Sequence, residues 1–367
     1  MKRSILRLRS TAFLLFALFL FALLLVNADI AMNGVHRGLS LCLETLIPSL
    51  FPFLVLSDLL ASSGVAESFG RILRPVSALF GLSAGGSASL LLGSLCGFPV
   101  GTTTALSLYR KGEISKKELE RVVLFANNPS SGFLIGAVGE ALFGNRMAGV
   151  ALFFITLLSA ATVGILLRIL QGKVPKIADI PHNGIKKRLS PTDLTGSIKR
   201  GGTSLLQIMA FVLFFSCISE CLSAILEGFS LPPVFGVMLC GTLEMTTGIS
   251  AAVTTLPPAV AFRLTALFAS LAGLSVTLQI FSVAEEANLP LSPFLLARLL
   301  QGAVALALAE LFLFFAKPDF ITAESVDTIA TAFFPRSYLT ALPLFLLLLI
   351  LIIHFLIKQK SAPRSAE

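Results

Sequence analysis

The chain has 367 residues, of which 55% are hydrophobic and 13% charged. Soluble domains carry about 25% charged residues, and the mean hydropathy here is +0.90. Such a chain cannot cover a water-facing surface with polar groups and reads as an integral membrane protein. Disorder, collagen and coiled coil are excluded on the same composition. The five cysteines (Cys42, Cys96, Cys217, Cys221 and Cys240) lie in apolar segments without a CxxC pair, and the three histidines are far apart in sequence. Neither a disulfide scaffold nor a zinc or di-iron site is expected. The net charge of +8 comes from basic residues placed between hydrophobic runs, where they set topology and need no nucleic acid to explain them.

A spanning helix needs about 20 apolar residues. Candidates run over 11–28, 39–62, 77–105, 122–143, 147–171, 203–226, 234–253, 258–284, 293–316 and 338–357. The first follows Lys2, Arg3, Arg7 and Arg9 and ends near Ala28. It reads as a first span or signal anchor, with a cleaved secretory signal as the alternative. The second contains Glu44, Pro48, Pro52 and Asp58 and is not simply lipid-facing. The 77–105 run is too long for one upright helix and holds Gly81, Gly85, Gly86, Gly93, Gly97 and Pro99. Two readings stay open for it, a broken helix or a hairpin that enters and leaves on one side. With the hairpin, 21 of the 28 Lys and Arg residues fall on one face, which places both termini in the cytoplasm. The stretch 172–202 is a basic cytoplasmic linker, and 317–367 is a loop, a last span and a basic tail.

The linker divides two related halves. LCGFPVGTTTA (95–105) and LCGTLEMTTGI (239–249) match at five positions, and Leu124-Phe125-Ala126 matches Leu267-Phe268-Ala269 at nearly the same offset. The charge pattern sends 39–62 inward and 203–226 outward. The expectation is therefore two inverted repeats, 39–171 and 203–316, behind an N-terminal membrane segment 1–38. Inverted repeats with broken segments carry a solute site near mid-membrane where the repeats meet.

Chemistry is expected at the breaks, where backbone groups inside the membrane need partners other than lipid. In the first repeat these are Gly97-Phe98-Pro99-Val100-Gly101-Thr102-Thr103-Thr104 and Asn127-Asn128-Pro129-Ser130-Ser131-Gly132. In the second they are Gly241 to Gly248, and Ser270 to Ser275 with Gln279 one turn on. Amides and hydroxyls bind carboxylates, hydroxyls or cations. Gly97, Pro99, Thr102, Thr103, Asn127, Asn128, Ser130, Thr246, Thr247, Ser270, Ser275 and Gln279 are the expected solute-binding residues. Half-helix N-termini at these breaks bring partial positive charge that suits an anion. Glu244 is the sharpest single residue, because a mid-membrane carboxylate costs about 2.5–3.5 kcal/mol on insertion scales. It is expected to bind a coupling ion or proton, or a cation that accompanies the solute. Asp58, Glu140, Glu220, Arg298 and Glu310 are weaker candidates, and Arg298 is expected to snorkel to the membrane edge or to pair with a carboxylate. No catalytic set is evident: there is no G-x-S-x-G, no H-E-x-x-H, no P-loop lysine, and no serine with a nearby histidine.

The run GFPVGTTTALSLYRKGEISKKELERVVLFANNPSSGFLIGAVG (97–139), followed by GTLEMTTG (241–248), resembles the YlbJ family of sporulation integral membrane proteins, which contain the nucleoside-recognition or Gate segment. The resemblance covers roughly 35–315. It implies a spore-forming bacterium and movement of dipicolinic acid across the outer forespore membrane. It also implies a fold similar to concentrative nucleoside transporters and other elevator-type carriers. In this chain Pro129 follows the Asn pair directly, a departure from the spacing expected in relatives. Nothing in the residues selects a purine or pyrimidine.

The expected protein is an all-α polytopic membrane protein with about 8–10 transmembrane or re-entrant helices in two inverted repeats. It is expected to act as a secondary transporter of a small anionic solute, with dipicolinic acid as the named substrate. No enzyme activity, resident cofactor, bound metal or nucleic-acid partner is expected. The bilayer, a coupling ion or proton, and a second copy of the chain are the expected partners. The alternatives are a non-transporting assembly factor for spore maturation and a carrier of a nucleoside-like or metal substrate.

Overall fold

The computed structural model describes residues 2–62, 78–172, 190–229 and 231–316. The described residues are all helical, without strands. Five helices are long and apolar enough to cross a membrane: Ala28–Leu56, Arg146–Gln171, Pro191–Gly228, Pro258–Val283 and Leu291–Phe315. Most of the 172–202 linker, and the last span and tail in 317–367, lie outside the described residues.

α1 (Lys2–Val26) is followed after Asn27 by α2 (Ala28–Leu41), a π-helical turn π1 (Cys42–Leu46) and α3 (Ile47–Ser62). The second membrane helix thus begins at residue 28, earlier than the expected 39. The Asn27 amide bonds back to the Leu23 carbonyl at 2.9 Å, so the chain bends there without a loop. Next come α4 (Ala84–Cys96), α5 (Val100–Arg110), α6 (Lys116–Phe125), the π-helix π2 (Gly132–Leu142) and α7 (Arg146–Gln171). The second half begins with α8 (Pro191–Gly228), then α9 (Pro233–Leu243), α10 (Met245–Thr255), α11 (Pro258–Leu271), α12 (Gly273–Val283) and α13 (Leu291–Phe315).

Local chemistry accounts for the boundaries. Ser190 and Asp193 form a reciprocal capping box at the head of α8, with Pro191 in the first turn. The Asn145 side chain accepts from the N–H groups of Met147 and Ala148 at 2.9 and 3.2 Å and starts α7. Ser115 accepts from Glu118 N at 3.2 Å and starts α6. Glu118 in turn accepts from Ser83 N at 2.6 Å, which ties the first turn of α6 to the head of α4.

The 77–105 run resolves into a hairpin, α4 against α5. Gly97 makes the turn at φ +86, beside a cis Phe98–Pro99 peptide. The two arms touch through Gly93 and Gly101, and both face the carbonyl of Ala126. The 234–253 segment, expected as one span, is also a hairpin, α9 against α10. Its strand of apolar residues is cut by Glu244 in an extended conformation, and Gly248 packs on Gly241 with no room for a methyl group. Small residues are what allow helix backbones to come this close in an apolar medium.

Each hairpin is followed by a broken helix and then a long one. In the first half these are α6, an unwound stretch at 126–131, π2 and α7. In the second they are α11, a left-handed kink at Ala272 and Gly273 (φ +68 and +66), α12 and α13. The long helices 28–62 and 191–228 lie side by side. Gly34 and Gly38 of α2 meet Ser216 and Cys217 of α8, and Gly201 of α8 meets Val55 of α3. Two pairs lace them at the ends: Arg37 with Glu220 at 2.9 Å, and Arg200 with Asp58 through contacts of 2.6, 2.9 and 3.0 Å. One apolar core gathers around Leu119, Val122, Phe125, Ile280 and Phe294. A second gathers around Leu46, Leu134, Leu152, Ile249, Phe262 and Phe268, and two smaller clusters lie around Cys221 and Leu92.

The glycine contacts give a direct check. Gly101→Val puts atoms into the Ala126 carbonyl and the opposite arm of the hairpin, and overpacking of this kind costs about 1–3 kcal/mol. A methyl group added at Gly202 would meet nothing within 4 Å, so Gly202→Ala is expected to be neutral, or stabilising by up to about 1 kcal/mol. Thermal unfolding of the two variants purified in detergent compares them: a lowered midpoint for Gly101→Val beside an unchanged or raised one for Gly202→Ala.

Candidate functional site

A cavity lies between the hairpin tips and the two breaks. Its polar lining is Ser130, Glu244, Thr246 and Gln279, with Cys96 and the Gly97 turn beside them. The apolar wall includes Leu46, Leu50 and Leu54 of the first long helix, Ile208 and Val212 of the second, and Phe98 and Phe133. None of the residues lining it is basic. It is small: the centre of a water-sized sphere has about 40 Å³ to move in, room for roughly three waters at about 10–15 Å³ each.

Glu244 is buried to 2% exposure. It is the N-cap of α10, and its carboxylate accepts the Thr247 N–H at 2.7 Å. Thr247 Oγ1 donates back to the Glu244 carbonyl at 3.1 Å. A carboxylate suits this place because the first turn of a helix has unpartnered N–H groups and partial positive charge. The N-terminus of α10 is therefore already covered by a residue of the chain. The corresponding turn of α5 is covered from another element. The Asn127 side-chain oxygen accepts both the Thr102 N–H at 3.2 Å and the Thr102 hydroxyl at 3.0 Å.

Asn127 and Asn128 do not line the cavity. Both are fully buried and hold the first break together. Their amide nitrogens donate to the carbonyls of Val123 and Phe125 at 3.0 Å each. Gln301 Nε2 donates to the Asn128 side-chain oxygen at 2.8 Å. Arg298, 2% exposed, sits at the C-terminal end of α6. It donates to the carbonyls of Asn127 and Leu124 at 2.7 and 3.0 Å, and to Gln301 Oε1 at 2.9 Å. Its guanidinium lies over the Phe294 ring, 5.1 Å from the centroid. Beyond the break, Ser130 caps π2: its hydroxyl accepts from Phe133 N at 3.1 Å.

The expected site residues thus separate by place. Gly97, Ser130, Glu244, Thr246 and Gln279 come together around the cavity. Thr102, Asn127 and Asn128 stand behind its wall. Pro99 is the N-cap position of α5. Thr103 is exposed and bonds back to the Val100 carbonyl. Thr247 is the donor to Glu244. Ser275 accepts from Gln279 Nε2 at 3.4 Å, and Ser270, fully buried, has a hydroxyl without a partner.

Among the weaker candidates, Asp58 and Glu220 pair with Arg200 and Arg37 as described above. Glu310 of α13 takes Arg263 of α11 through two bonds of 2.6 and 3.0 Å, a charge-assisted fork. Glu140 is exposed at the end of π2. Arg298 is buried inside the protein, and among the described residues it forms no ion pair with a carboxylate. The carbonyls at the end of α6 and in the break take it instead, groups with negative partial charge that lack intrahelical partners. Outside the spans, Arg110 and Glu286 form an exposed pair. The hydrogen bond from Arg110 holds the Glu286 carboxyl below its ordinary range.

Sequence reasoning passed over Gln301 and Arg263. The signal for Gln301 was present: Arg298 and Gln301 are three residues apart and share one face of an apolar helix. Arg263 and Glu310 show no such local signal, since 47 residues separate them.

The comparisons with known proteins bear on the family of the chain. The chain is 28% identical over 326 residues to the sporulation integral membrane protein YlbJ of Bacillus subtilis (strain 168), covering 79% of each chain. This likeness supports the YlbJ family for the chain. With the apolar helices it also supports an integral membrane protein. No family model and no solved structure matches the chain.

The capping role of Asn127 is testable. Asn127→Ala leaves the buried N–H and hydroxyl of Thr102 without an acceptor, a loss of about 1–3 kcal/mol. Thr103→Ala removes only an exposed hydroxyl bonded to its own helix. The unfolding midpoint in detergent is expected to fall for Asn127→Ala and to stay within error for Thr103→Ala.

Proposed function

We propose that this relative of YlbJ is a secondary carrier for a small solute, with its site in the cavity between the two hairpin tips and the two breaks. The observation that carries the proposal is the buried Glu244 at a hairpin tip, facing Ser130 and Gln279 from the two broken helices across one small cavity. Polar groups and unwound backbone at this depth are expensive unless they serve an ion or solute.

The order of elements supports a two-repeat architecture. A long helix, a two-helix hairpin, a broken helix and a second long helix occur in that order before and after the linker. With the orientation that the basic residues favour, the repeats are inverted, and the breaks meet at the centre. The similar concentrative nucleoside transporters and elevator-type carriers are the fold analogy, and the analogy enters as a proposal only.

The solute proposed is a small anion, with dipicolinate as the first to test. The family resemblance supplies that name. The cavity supplies a constraint on how such an anion is carried. It offers the Ser130 hydroxyl, the Gln279 amide, the Thr246 hydroxyl and the head of π2, but it contains a carboxylate and no basic side chain. A dianion therefore enters with its charge offset, by a proton on Glu244 or by a cation beside it. The same requirement makes Glu244 the coupling residue. A cavity with room for roughly three waters fits a closed state, and the solute needs the hairpin tips to part. The proposed setting is the outer forespore membrane of a spore-forming bacterium, with both termini in the cytoplasm.

Uptake of labelled dipicolinate into vesicles holding the purified protein tests the reading, with and without calcium and a proton gradient. Wild type is expected to accumulate the label. Ser130→Ala is expected to weaken apparent affinity by about tenfold, the loss of roughly one hydrogen bond to a charged group. Glu244→Gln is expected to abolish uphill uptake while exchange across the membrane continues. Uphill uptake that survives Glu244→Gln removes the coupling role. No uptake by folded wild type under any of these conditions removes the dipicolinate carrier and favours the assembly-factor alternative.

A further inference from the structure

We infer that Arg298 is a positioning residue for the cavity: it holds the carbonyls of the first break turned toward α13, so that the Ser130 side of the cavity is its anion-facing pole. The inference rests on the carrier reading above.

Arg298 is a buried cation with no carboxylate among the ion pairs of the described residues. Its charge is met by dipoles: the carbonyls of Leu124 and Asn127, the Gln301 oxygen and the face of Phe294. The Leu124 carbonyl belongs to the last turn of α6, where intrahelical partners run out, and the Asn127 carbonyl to the break just beyond it. A neutral donor could satisfy one of them. A guanidinium bridges both in one rigid plane, which a point-charge ammonium cannot do as well.

The consequence reaches the cavity through three residues. Arg298 fixes the Asn127 carbonyl, and Gln301 fixes the Asn128 side chain. Pro129, with its φ locked by the ring, comes next and lines the cavity together with Ser130. Neither Arg298 nor Asn127 lines it, so the carbonyls they share are turned away from the solute space. What the break presents on the cavity side is Pro129 and Ser130, whose hydroxyl also accepts from Phe133 N. The cavity is therefore bipolar. A positive charge stands behind the Ser130 wall, and a carboxylate stands at Glu244. The solute class that fits has an anionic group at the Ser130 end and a cation or proton at the Glu244 end.

The test uses the full chain, with dipicolinate uptake in vesicles and amide hydrogen exchange in detergent. Arg298→Met is expected to raise exchange across 126–132 by at least about tenfold, as for local opening of a segment without its tie. It is also expected to raise the apparent KM about tenfold while maximal uptake changes less. Arg298→Lys keeps the charge but loses the bridge, and both readouts are expected to fall between wild type and Arg298→Met. If Arg298→Met does not fold, Gln301→Leu carries the test with the same two readouts. Unchanged exchange at 126–132 together with unchanged KM overturns the inference. So does exchange that rises equally in every helix with a fall in maximal uptake alone, which marks general loosening of the fold. If wild type does not transport dipicolinate, the carrier reading fails, and with it the assignment of a pole. The exchange measurement then still decides whether Arg298 holds the break.

Discussion

Everything at the centre of this protein depends on how a helix can be interrupted where no water is present. An unpaired N–H or carbonyl in hydrocarbon costs several kcal/mol. The chain meets this cost with side chains, two brought from other elements and one from the helix end itself. Arg298 takes the carbonyls at the end of α6, Asn127 takes the N–H at the head of α5, and Glu244 takes the N–H at the head of α10. In both hairpins the N–H that is capped sits three residues after the N-cap position, Thr102 after Pro99 and Thr247 after Glu244. The same backbone problem is solved once by an amide from a neighbouring break and once by the carboxylate of the tip itself. The second solution is the one that leaves an ionisable group at the cavity.

The two breaks differ in what holds them. The first is a stretch of several residues, stapled to α5 and α13 through Asn127, Asn128, Arg298 and Gln301. The second is a kink at Ala272 and Gly273, both in the left-handed region. Glycine takes that conformation freely, but a residue with a Cβ there costs about 1–2 kcal/mol. Ala272 is fully buried, and a methyl group added at Gly273 would lie 3.3–3.4 Å from the backbone of Gly241, Leu243 and Met245. The second break is thus shaped by close backbone packing against its own hairpin, and the first by a side-chain network tied to an outer helix. A motion that opens the cavity by moving the α9–α10 hairpin breaks fewer polar ties than one that moves the first break.

Much of this was legible in the sequence, and the reasons for the rest are specific. Apolar runs of about 20 residues gave the spans. Clusters such as Gly97-Phe98-Pro99 and Asn127-Asn128-Pro129 marked the places where helices stop, because Gly and Pro punctuate any helix regardless of tertiary context. The join at Asn27 was not legible, since one residue with a side chain bonded back to Leu23 replaces the loop that a reader expects between two spans. The hairpin at 234–253 was hidden by its length, which equals that of a single crossing. Glu244 stood out by its cost. The division of labour between Asn127 and Ser130 did not, because four neighbouring polar residues in a row look alike until the fold decides which of them face the cavity. Arg298 was visible as a charge in an apolar run, but its partners are main-chain carbonyls 171 and 174 residues away, and carbonyls leave no mark in a sequence.

The separation of Arg298 from Glu244 bears most directly on function. A buried cation and a buried carboxylate that paired with each other would neutralise one another and leave the interior electrostatically inert. Here the first break stands between them: Arg298 behind it on α13, the Glu244 cavity in front. Each charge is compensated by helix-end dipoles, which are fixed in space and carry about half an elementary charge. Compensation by dipoles keeps a charge tolerable without cancelling its field. The cavity therefore retains a gradient, positive on the Ser130 side and negative on the Glu244 side, in a medium that screens it weakly. An electrically neutral pair, an anion with its proton or cation, is the combination that such a gradient orients, whereas either ion alone meets one favourable pole and one hostile one. For the carrier proposed above, moving charge in balanced pairs would then follow from where the chain places two side chains, before any particular solute is named.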